Sequence, residues 1–256
     1  MKKTIVFVLS LVLIPQLQAQ DAAPIVKASR ERIDAATVST RSRMVITAKN
    51  GSTTERVIDQ YSKDDAQGSS RAVIVFKSPA SVAGTRFLTL ENPGGSASQW
   101  IFLPALAKVR RIASSEGGAS FMGTDMSYDD LNATSRNVDD DVHELLREEQ
   151  YNGKACYVIQ STPKDSSYQY GKMILWIDKT TRVNYKIEMY DRRGALVKTM
   201  ESSGFKDVQG FLTPEQIKVS TLAAQTSTTI YTDLVKYNDA IPESVFTTRF
   251  LETGRP

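Results

Sequence analysis

The sequence predicts a mainly β protein built on a single antiparallel sheet that curls. Strand-like runs recur about every ten residues, and turn residues such as Asn152-Gly153 and Arg193-Gly194 separate most of them. About 11 or 12 strands are more than a flat sheet usually holds, so the sheet is expected to curl or close. Residues 20–256 contain no low-complexity linker and no repeat, and we therefore expect a single domain there.

The first two strands carry the clearest signal. From Ala36 onward the chain alternates with a period of two, and the run ends at Asn50-Gly51, a strong hairpin signal. Glu55 to Ser62 is the expected return strand. The other predicted strands are residues 71–77, 85–90, 99–103, 108–112, 155–161, 169–177, 183–190, 196–202, 215–223 and 227–237.

Two of these predicted strands differ in how many of their faces must be packed against other parts of the protein. Strand 171–177 is apolar on both faces, with Met173, Leu175 and Ile177 on one and Ile174 and Trp176 on the other. Strand 183–189 places its apolar side chains on one face only, namely Val183, Tyr185, Ile187 and Met189. A barrel that is partly wrapped by a helix satisfies both patterns, and so does a two-layer sandwich.

Short helices are expected at both ends of the domain. Residues 24–35 have helical spacing of apolar side chains, and Pro24 suits a first helical turn. Such a helix would lie across one mouth of a barrel. Pro242 opens a short terminal helix, for which Ser244 is a candidate N-cap.

Residues 1–19 have the features of a cleavable secretion signal. Lys2 and Lys3 precede an apolar stretch over residues 5–14, and Ala19 is a small residue before the expected cut. The stretch is too short to span a bilayer as a helix. No Cys follows it, so acylation as a bacterial lipoprotein is not expected. The sequence therefore predicts a periplasmic protein of a Gram-negative bacterium.

The net charge bears on which partners are expected, and the cysteine content bears on disulfide formation. Removing Lys2 and Lys3 leaves 30 of the 32 basic residues against 29 acidic ones, which gives no general case for binding nucleic acid or a membrane surface. Cys156 is the only cysteine, so no intrachain disulfide forms. Its apolar neighbours predict a buried strand position, which suits a lone thiol in an oxidising compartment.

Catalysis is hard to build from this composition. His143 is the only histidine, so any imidazole-based triad or His-ligated metal site would have to use it. It stands among carboxylates in residues 139–144, where a divalent cation is one interpretation and a solvated acidic turn is the favoured one. The chain has no G-x-S-x-G elbow, phosphate-binding glycine motif or C-x-x-C pair. We predict a non-enzyme with no metal and no cofactor.

The stretch from Trp100 to Leu131 is the most unusual part of the chain. An apolar run ends at Pro104, a basic run follows over residues 108–112, and a small-residue loop leads to Phe121-Met122 and Met126. Thr124 or Asp125 is a candidate cap for a short helix reaching Leu131. A glycine-rich loop with Phe and two Met is typical of a mobile apolar flap, because the Met side chain adapts to ligands of irregular shape. The alternative is an ordinary loop that fills the core.

This stretch also carries a resemblance. Its motifs W-I-F-L-P-A-x-x-K-V-R-R-I and S-F-M-G-T-D-M-S-Y-D-D-L resemble the family named for outer-membrane lipoprotein sorting, whose members are similar to the carrier LolA and the receptor LolB. The match continues at residues 84–88, 186–194 and 245–248. The resemblance implies a half-open β-barrel of about 11 strands, with short helices as a lid over an apolar cavity.

Candidate binding residues follow from the apolar strands and from this resemblance. The cavity or lid candidates are Leu88, Trp100, Phe102, Phe121, Met122, Met126, Tyr170, Trp176, Ile187 and Met189. Large aromatic side chains also dominate ordinary cores, so a packing role is the alternative. The candidate rim cations, which would meet lipid phosphate or an acidic partner, are Arg86, Lys108, Arg110 and Arg111. The alternative for the cations is a solvated strand face.

The function predicted is that of a periplasmic carrier. It would bury the acyl chains of a lipid or lipoprotein and move them towards the outer membrane, without stable insertion into a membrane. An inner-membrane transporter is a further candidate partner. Two alternatives remain open: an envelope-stress sensor or regulatory module, and an accessory subunit of a lipid-exporting RND-type transporter.

Overall fold

The computed structural model describes residues 22–64, 69–92, 97–132 and 136–256. The predicted secretion signal, residues 1–19, lies outside the described residues.

Within the described residues, 13 strands form one antiparallel sheet that curls and stays open. The strands are β1 (Thr37–Thr47), β2 (Thr53–Asp64), β3 (Ser70–Ser78), β4 (Arg86–Leu90), β5 (Ser98–Leu103), β6 (Lys108–Arg111), β7 (Asp141–Tyr151), β8 (Lys154–Pro163), β9 (Lys172–Asp178), β10 (Asn184–Tyr190), β11 (Leu196–Val208), β12 (Phe211–Thr221) and β13 (Thr226–Tyr237). Their spatial order is β6-β5-β4-β3-β2-β1-β13-β12-β11-β10-β9-β8-β7. The predicted fold class is confirmed, and β6 and β7 form the two edges.

The predicted hairpins form where left-handed backbone was expected. β1 and β2 pair from Thr37 opposite Lys63 to Thr47 opposite Thr53, and Gly51 in their turn has φ +83°. Between β7 and β8, Asn152 and Gly153 have φ of +51° and +75°, the positive values that a two-residue turn of this hand requires.

Strand β7 was missed by the sequence interpretation, which placed a solvated acidic turn there. Only Val138–Asp140 forms an exposed turn, and the chain then continues as the edge strand β7. An edge strand tolerates many charged side chains because it pairs on one side only. A bulge between Leu145 and Arg147 also breaks the two-residue alternation that would have marked the strand.

Two short helices flank the sheet. Helix α1 (Ala23–Arg30) begins with Pro24 in its first turn, as predicted. Near the other terminus, a 3-10 turn (Glu243–Phe246) precedes helix α2 (Thr248–Thr253). The N-cap of α2 is Thr247 rather than Ser244, because the Thr247 hydroxyl accepts a hydrogen bond from the Phe250 N–H at 3.1 Å.

The sheet is covered on both faces, at different places. We call the face that carries Met44, Phe76 and Leu175 the inner face and the opposite one the outer face. Helix α1 packs Val26 against the inner face of β8–β10. Helix α2 and the 3-10 turn before it pack against the outer face of β3–β5 around Leu88.

Strand β9 is apolar on both faces, as predicted. Leu175 and its alternating neighbours face the inner side, whereas Ile174 and Trp176 lie on the outer side beside the buried Cys156. Cys156 is fully buried, which confirms the predicted buried strand position. This burial raises the pKa of its thiol.

The prediction for Tyr185 is wrong. A bulge between Asn184 and Lys186 turns Tyr185 away from the inner face, where Ile187 and Met189 pack. Its ring lies 5.3 Å from that of Phe205 on the other side of the sheet.

Candidate functional site

One irregular segment spans the inner face of the sheet. Because β6 and β7 are opposite edges, the chain must pass from one edge to the other after Arg111. We call residues 112–132 the crossing segment. Its contacts run from β2, β3 and β4 to β11 and β13, so it lies across the interior of the half-open barrel.

Phe121 is the centre of the crossing segment's apolar side. Its side chain is 0% exposed, and its ring centroid lies 5.8 Å from Phe76, 5.1 Å from Phe87 and 5.8 Å from Tyr128. Met126 is buried in the same cluster. Of the two interpretations of this segment, the structure agrees with the second, a loop that fills the core. The part of the interior around Phe121, where the resemblance implied an apolar cavity, is occupied here by the protein's own side chains.

The helix predicted from Thr124 or Asp125 to Leu131 does not form. Met122 and Gly123 have φ of +52° and +75°, so the backbone reverses tightly at this point. The Phe121 N–H then donates to the Met126 carbonyl at 2.8 Å. The Thr124 hydroxyl donates to the Phe121 carbonyl at 2.7 Å, which favours the turn over a helix. Only a 3-10 turn, Asp130–Asn132, follows.

Asp125 ties the crossing segment to β13. Its N–H donates to the Thr228 hydroxyl at 2.9 Å, and its carboxylate accepts from that hydroxyl at 2.8 Å and from the Thr226 hydroxyl. On β2, Arg56 donates to the Met122 carbonyl at 2.7 Å. These contacts involve side chains. The only backbone hydrogen bond from residues 112–132 to a described strand is at the start of the segment, where the Ile112 N–H donates to the Gln99 carbonyl of β5 at 2.9 Å.

Asp130 ties the far end of the segment to β11. Its carboxylate accepts from the Lys198 ammonium and the Tyr170 hydroxyl, both at 2.8 Å, and from the Ser127 N–H at 2.7 Å. The Lys198 and Asp130 side chains are 15% and 1% exposed, so this is a buried ion pair. Burial, and secondarily the Asp130 charge, raise the pKa of Tyr170, and its hydroxyl therefore remains a donor.

The predicted cavity residues divide between the two faces. On the inner face, Phe121, Met122 and Met126 belong to the crossing segment's cluster, while Tyr170, Ile187 and Met189 pack near α1. On the outer face, Leu88, Trp100 and Phe102 lie beneath α2, and Trp176 lies beside Cys156. The last four candidates therefore lie on the opposite face of the sheet from the other six, where they have the packing role that was the alternative for them. Strand alternation alone does not tell which face is inside.

The predicted rim cations have separate roles. Arg86 donates to the Leu251 carbonyl at 2.6 Å and stacks over Phe102, so it fastens α2. Arg110 pairs with Glu116 at 2.7 Å. Arg111 lies over the Trp100 ring and borders a cavity, whereas Lys108 is exposed.

That cavity lies between the two edges of the sheet and has a volume of about 590 Å³. Its lining combines polar and apolar surface in similar amounts and includes Gln99, Arg111, Asp129, Arg136 and Tyr168. Burial, and secondarily the neighbouring Asp130, raise the pKa of the Asp129 carboxyl. The cavity therefore differs in character from the apolar one that the resemblance implied.

His143 is part of the packing of β7. Its ring nitrogens lie 2.7 Å from the Ser161 hydroxyl and 3.0 Å from the Val138 carbonyl oxygen. Among the residues that the structure describes, no group of three or more His, Cys, Asp or Glu side chains is placed to hold a metal ion. Asp139 and Asp140 are exposed, as the acidic-turn interpretation expected, but Asp141 and His143 are buried.

Known proteins with this architecture decide the family. A family model whose description reads only "-like: Uncharacterized protein" matches residues 68–253. A DUF1329 family protein from Desulfovibrio piger is 28% identical, with a TM-score of 0.85, covering 90% of this chain and 97% of that chain. An outer membrane lipoprotein-sorting protein domain from Vibrio parahaemolyticus is 25% identical, with a TM-score of 0.84 and the same two coverages. The chain belongs to the outer-membrane lipoprotein-sorting family of LolA-like proteins.

The fold likeness extends further within the LolA superfamily. A member from Nitrosomonas europaea is 21% identical, with a TM-score of 0.72, covering 91% of this chain and 100% of that chain. No curated protein matches the sequence. In the described ranges, no helix has the length and apolar character needed to cross a membrane. The chain thus has a carrier-type fold whose interior is filled by the crossing segment.

Proposed function

We propose that this protein is a non-enzymatic periplasmic carrier that shields the acyl chain of a lipid or lipoprotein from water and moves it towards the outer membrane. Under this proposal, the acyl chain takes the place on the inner face that the crossing segment occupies in the structure. One observation carries the proposal: an apolar inner face is covered across its middle by a single irregular segment outside the strand ladder.

The energetics favour an exchange between the crossing segment and an acyl chain. Phe121 and Met126 fill the inner face with an aromatic ring and a thioether, and hydrocarbon can replace them in the same surroundings. Each methylene removed from water contributes about 0.8 kcal/mol, so a chain of about twelve methylenes gains about 10 kcal/mol. That gain has to offset the loss of the hydrogen bonds at Asp125, of the ion pair at Asp130 and of the burial of Phe121 and Met126.

The crossing segment can leave without breaking the sheet. It contributes no strand, and its single bridge, between Ser120 and Ser127, lies within the segment itself. The Asp125 carboxylate and the Thr228 hydroxyl that it leaves behind can be hydrated once the segment has moved. The expected motion is a displacement of residues 113–132 with β1–β13 unchanged, since Ile112 is bonded through its N–H to the Gln99 carbonyl of β5.

A reversible covalent lock tests this site directly. Asp125 and Thr228 are in side-chain contact, so Asp125→Cys with Thr228→Cys in a Cys156→Ala background places two thiols for a disulfide. We expect the reduced variant to bind a fluorescent fatty acid and the oxidised variant to lose that binding. Cys156→Ala alone is the control, because oxidation leaves it unchanged.

Two outcomes count against the proposal in different ways. Equal binding by the oxidised and reduced forms would show that the site is not beneath the crossing segment. If the wild-type protein neither binds the probe nor carries lipid detectable by extraction and mass spectrometry, the carrier function itself fails.

The direction of transfer is tested with membranes. A carrier loaded at the inner membrane, with a transporter as its donor, is expected to release lipid into outer-membrane vesicles. Photo-crosslinking from position 110 should then capture partners in both membranes. Capture of one inner-membrane protein, with no bound lipid, would instead support the sensor alternative.

A further inference from the structure

The tip of the β5–β6 hairpin exposes an apolar side chain to an unusual extent. Leu106 is 69% exposed, the highest value among the large apolar side chains of the described residues. Its neighbours Pro104, Ala105 and Ala107 are exposed as well. An apolar turn with no polar residue between positions 104 and 107 is uncommon on a water-facing surface, where turns are usually built from polar residues and glycine.

The backbone holds this tip in a defined shape. Pro104–Leu106 forms a 3-10 turn, and Ala107 then adopts the left-handed region with φ +47°. A residue other than Gly in that region costs free energy, which indicates that the turn geometry is enforced by its surroundings. The Pro104 ring also lies against Gly84, where an added Cβ would be 3.3 Å from Cγ. The hairpin base is therefore braced while Leu106 projects away from it.

A cation stands directly beside the tip. Lys108 is exposed and makes no ion pair or hydrogen bond that links its ammonium to another described residue. An apolar tip next to an unpaired ammonium is the combination that favours the headgroup region of an anionic bilayer.

A second apolar tip lies at the same end of the sheet. The β12–β13 turn carries Leu222, which is 41% exposed, followed by the exposed Ala223 and Ala224. Because neighbouring strands are antiparallel, the turns after β1, β5, β10 and β12 all fall at one end. Lys49 and Arg193 are exposed cations in these turns. Arg192 donates to the Asp165 and Tyr168 carbonyls of the β8–β9 turn at 3.3 and 2.8 Å, and that turn carries the exposed Asp165 at the same end.

We infer that this end of the sheet docks reversibly on a lipid bilayer with anionic headgroups. Leu106 and Leu222 enter the interface, and Lys108 and the cations of the neighbouring turns face the lipid phosphates. The net charge of the chain gives no reason to expect such binding, since the effect is local to one end. The inference is independent of where an acyl chain is held.

Vesicle sedimentation tests the docking surface. Leu106→Glu is expected to lower partitioning onto phosphatidylglycerol-containing vesicles by about tenfold, and Leu106→Glu with Leu222→Glu to abolish it. The matched control is Leu234→Glu, because Leu234 is 54% exposed on β13 towards the other end of the sheet. Lys108→Glu should reduce binding, and added salt should reduce wild-type binding.

Three results would overturn the inference. They are no sedimentation of the wild-type protein with anionic vesicles, equal binding to phosphatidylcholine vesicles, and a loss in Leu234→Glu as large as that in Leu106→Glu. Fatty-acid probe binding measured without vesicles separates this surface from the proposed carrier site, since Leu106→Glu should leave it unchanged.

Discussion

Two segments cover the sheet, and they are built differently. The C-terminal segment, residues 241–253, covers the outer face with a capped helix and four buried apolar side chains, Val245, Phe246, Phe250 and Leu251. The crossing segment covers the inner face with a left-handed turn at Met122 and Gly123 and a buried ion pair. Under the proposed function, the helix on the outer face stays in place. The irregular segment with polar attachments is the cover that a competing apolar ligand displaces.

The charged contacts show the same difference. On the outer side, Glu243 pairs with Lys63 and with Arg71, and its side chain is 60% exposed. On the inner side, Asp130 pairs with Lys198 where both side chains are largely buried. Exposed pairs contribute little to stability, whereas removing one partner of a buried pair is costly. The stability of the inner cover therefore depends more strongly on its ion pair, Asp130 with Lys198, than the stability of the outer cover depends on Glu243.

The largest effect is expected at the centre of the inner cover. Phe121→Ala should lower the free energy of unfolding by about 4–5 kcal/mol, because it removes a fully buried ring and leaves a cavity. The same cavity should raise the affinity for a fluorescent fatty acid. Urea unfolding and probe titration measure the two quantities, and a loss of stability with no change in affinity would contradict the distinction between the covers.

The outer cover gives the matched case. Phe250→Ala should lower the free energy of unfolding by about 3–4 kcal/mol, since Phe250 is also buried. Probe affinity should stay at the wild-type value, because this side chain faces away from the inner face. An affinity change comparable with that of Phe121→Ala would show that both faces share one binding site.

The sheet was predictable from local patterns, and the interior was not. Alternation and turn residues located Asn50-Gly51 and the double-faced strand at Trp176, because these signals depend on neighbours in sequence. Tyr185 and β7 were misjudged where a bulge shifts the alternation by one residue. Nothing in the apolar pattern of Leu88 or Trp100 tells which face the C-terminal segment will cover.

The crossing segment shows a second limit. Its residue types are compatible with a flap or with a filled core, and Thr124 or Asp125 was a candidate helix cap. The partners that decide the outcome, Thr228 and Lys198, lie far away in the sequence. Such long-range polar contacts leave no periodic signal, so only the tertiary structure identifies them.

The next effect concerns the buried ion pair. Lys198→Met should lower the free energy of unfolding by about 3 kcal/mol, because it leaves the Asp130 carboxylate buried without its cation. Adding Asp130→Asn should restore most of that loss, since the amide oxygen can still accept from Tyr170. Lys63→Met is the control on the outer cover, where an exposed partner should limit the cost to less than about 1 kcal/mol. Equal costs for the two lysines in urea unfolding would remove the contrast.

The smallest effect distinguishes the covers by pH. Burial and the neighbouring Asp130 raise the pKa of Asp129, so its ionisation opposes folding. Below the pKa that Asp129 has in the unfolded chain, its carboxyl is protonated in both states and does not affect the free energy of unfolding. As the pH rises through the raised pKa of the folded state, the free energy of unfolding falls, because ionisation is less favourable in the folded protein. Asp129→Asn should therefore match the wild-type stability near pH 3 and exceed it at pH 7 by about 0.5 kcal/mol, after allowance for solvent screening. Glu243→Gln, at a paired and exposed position, should show no such gain. Urea unfolding at the two pH values measures the stability of both variants. A gain in stability at pH 7 in the Glu243 variant alone would contradict the prediction that the unfavourable buried charge lies in the inner cover.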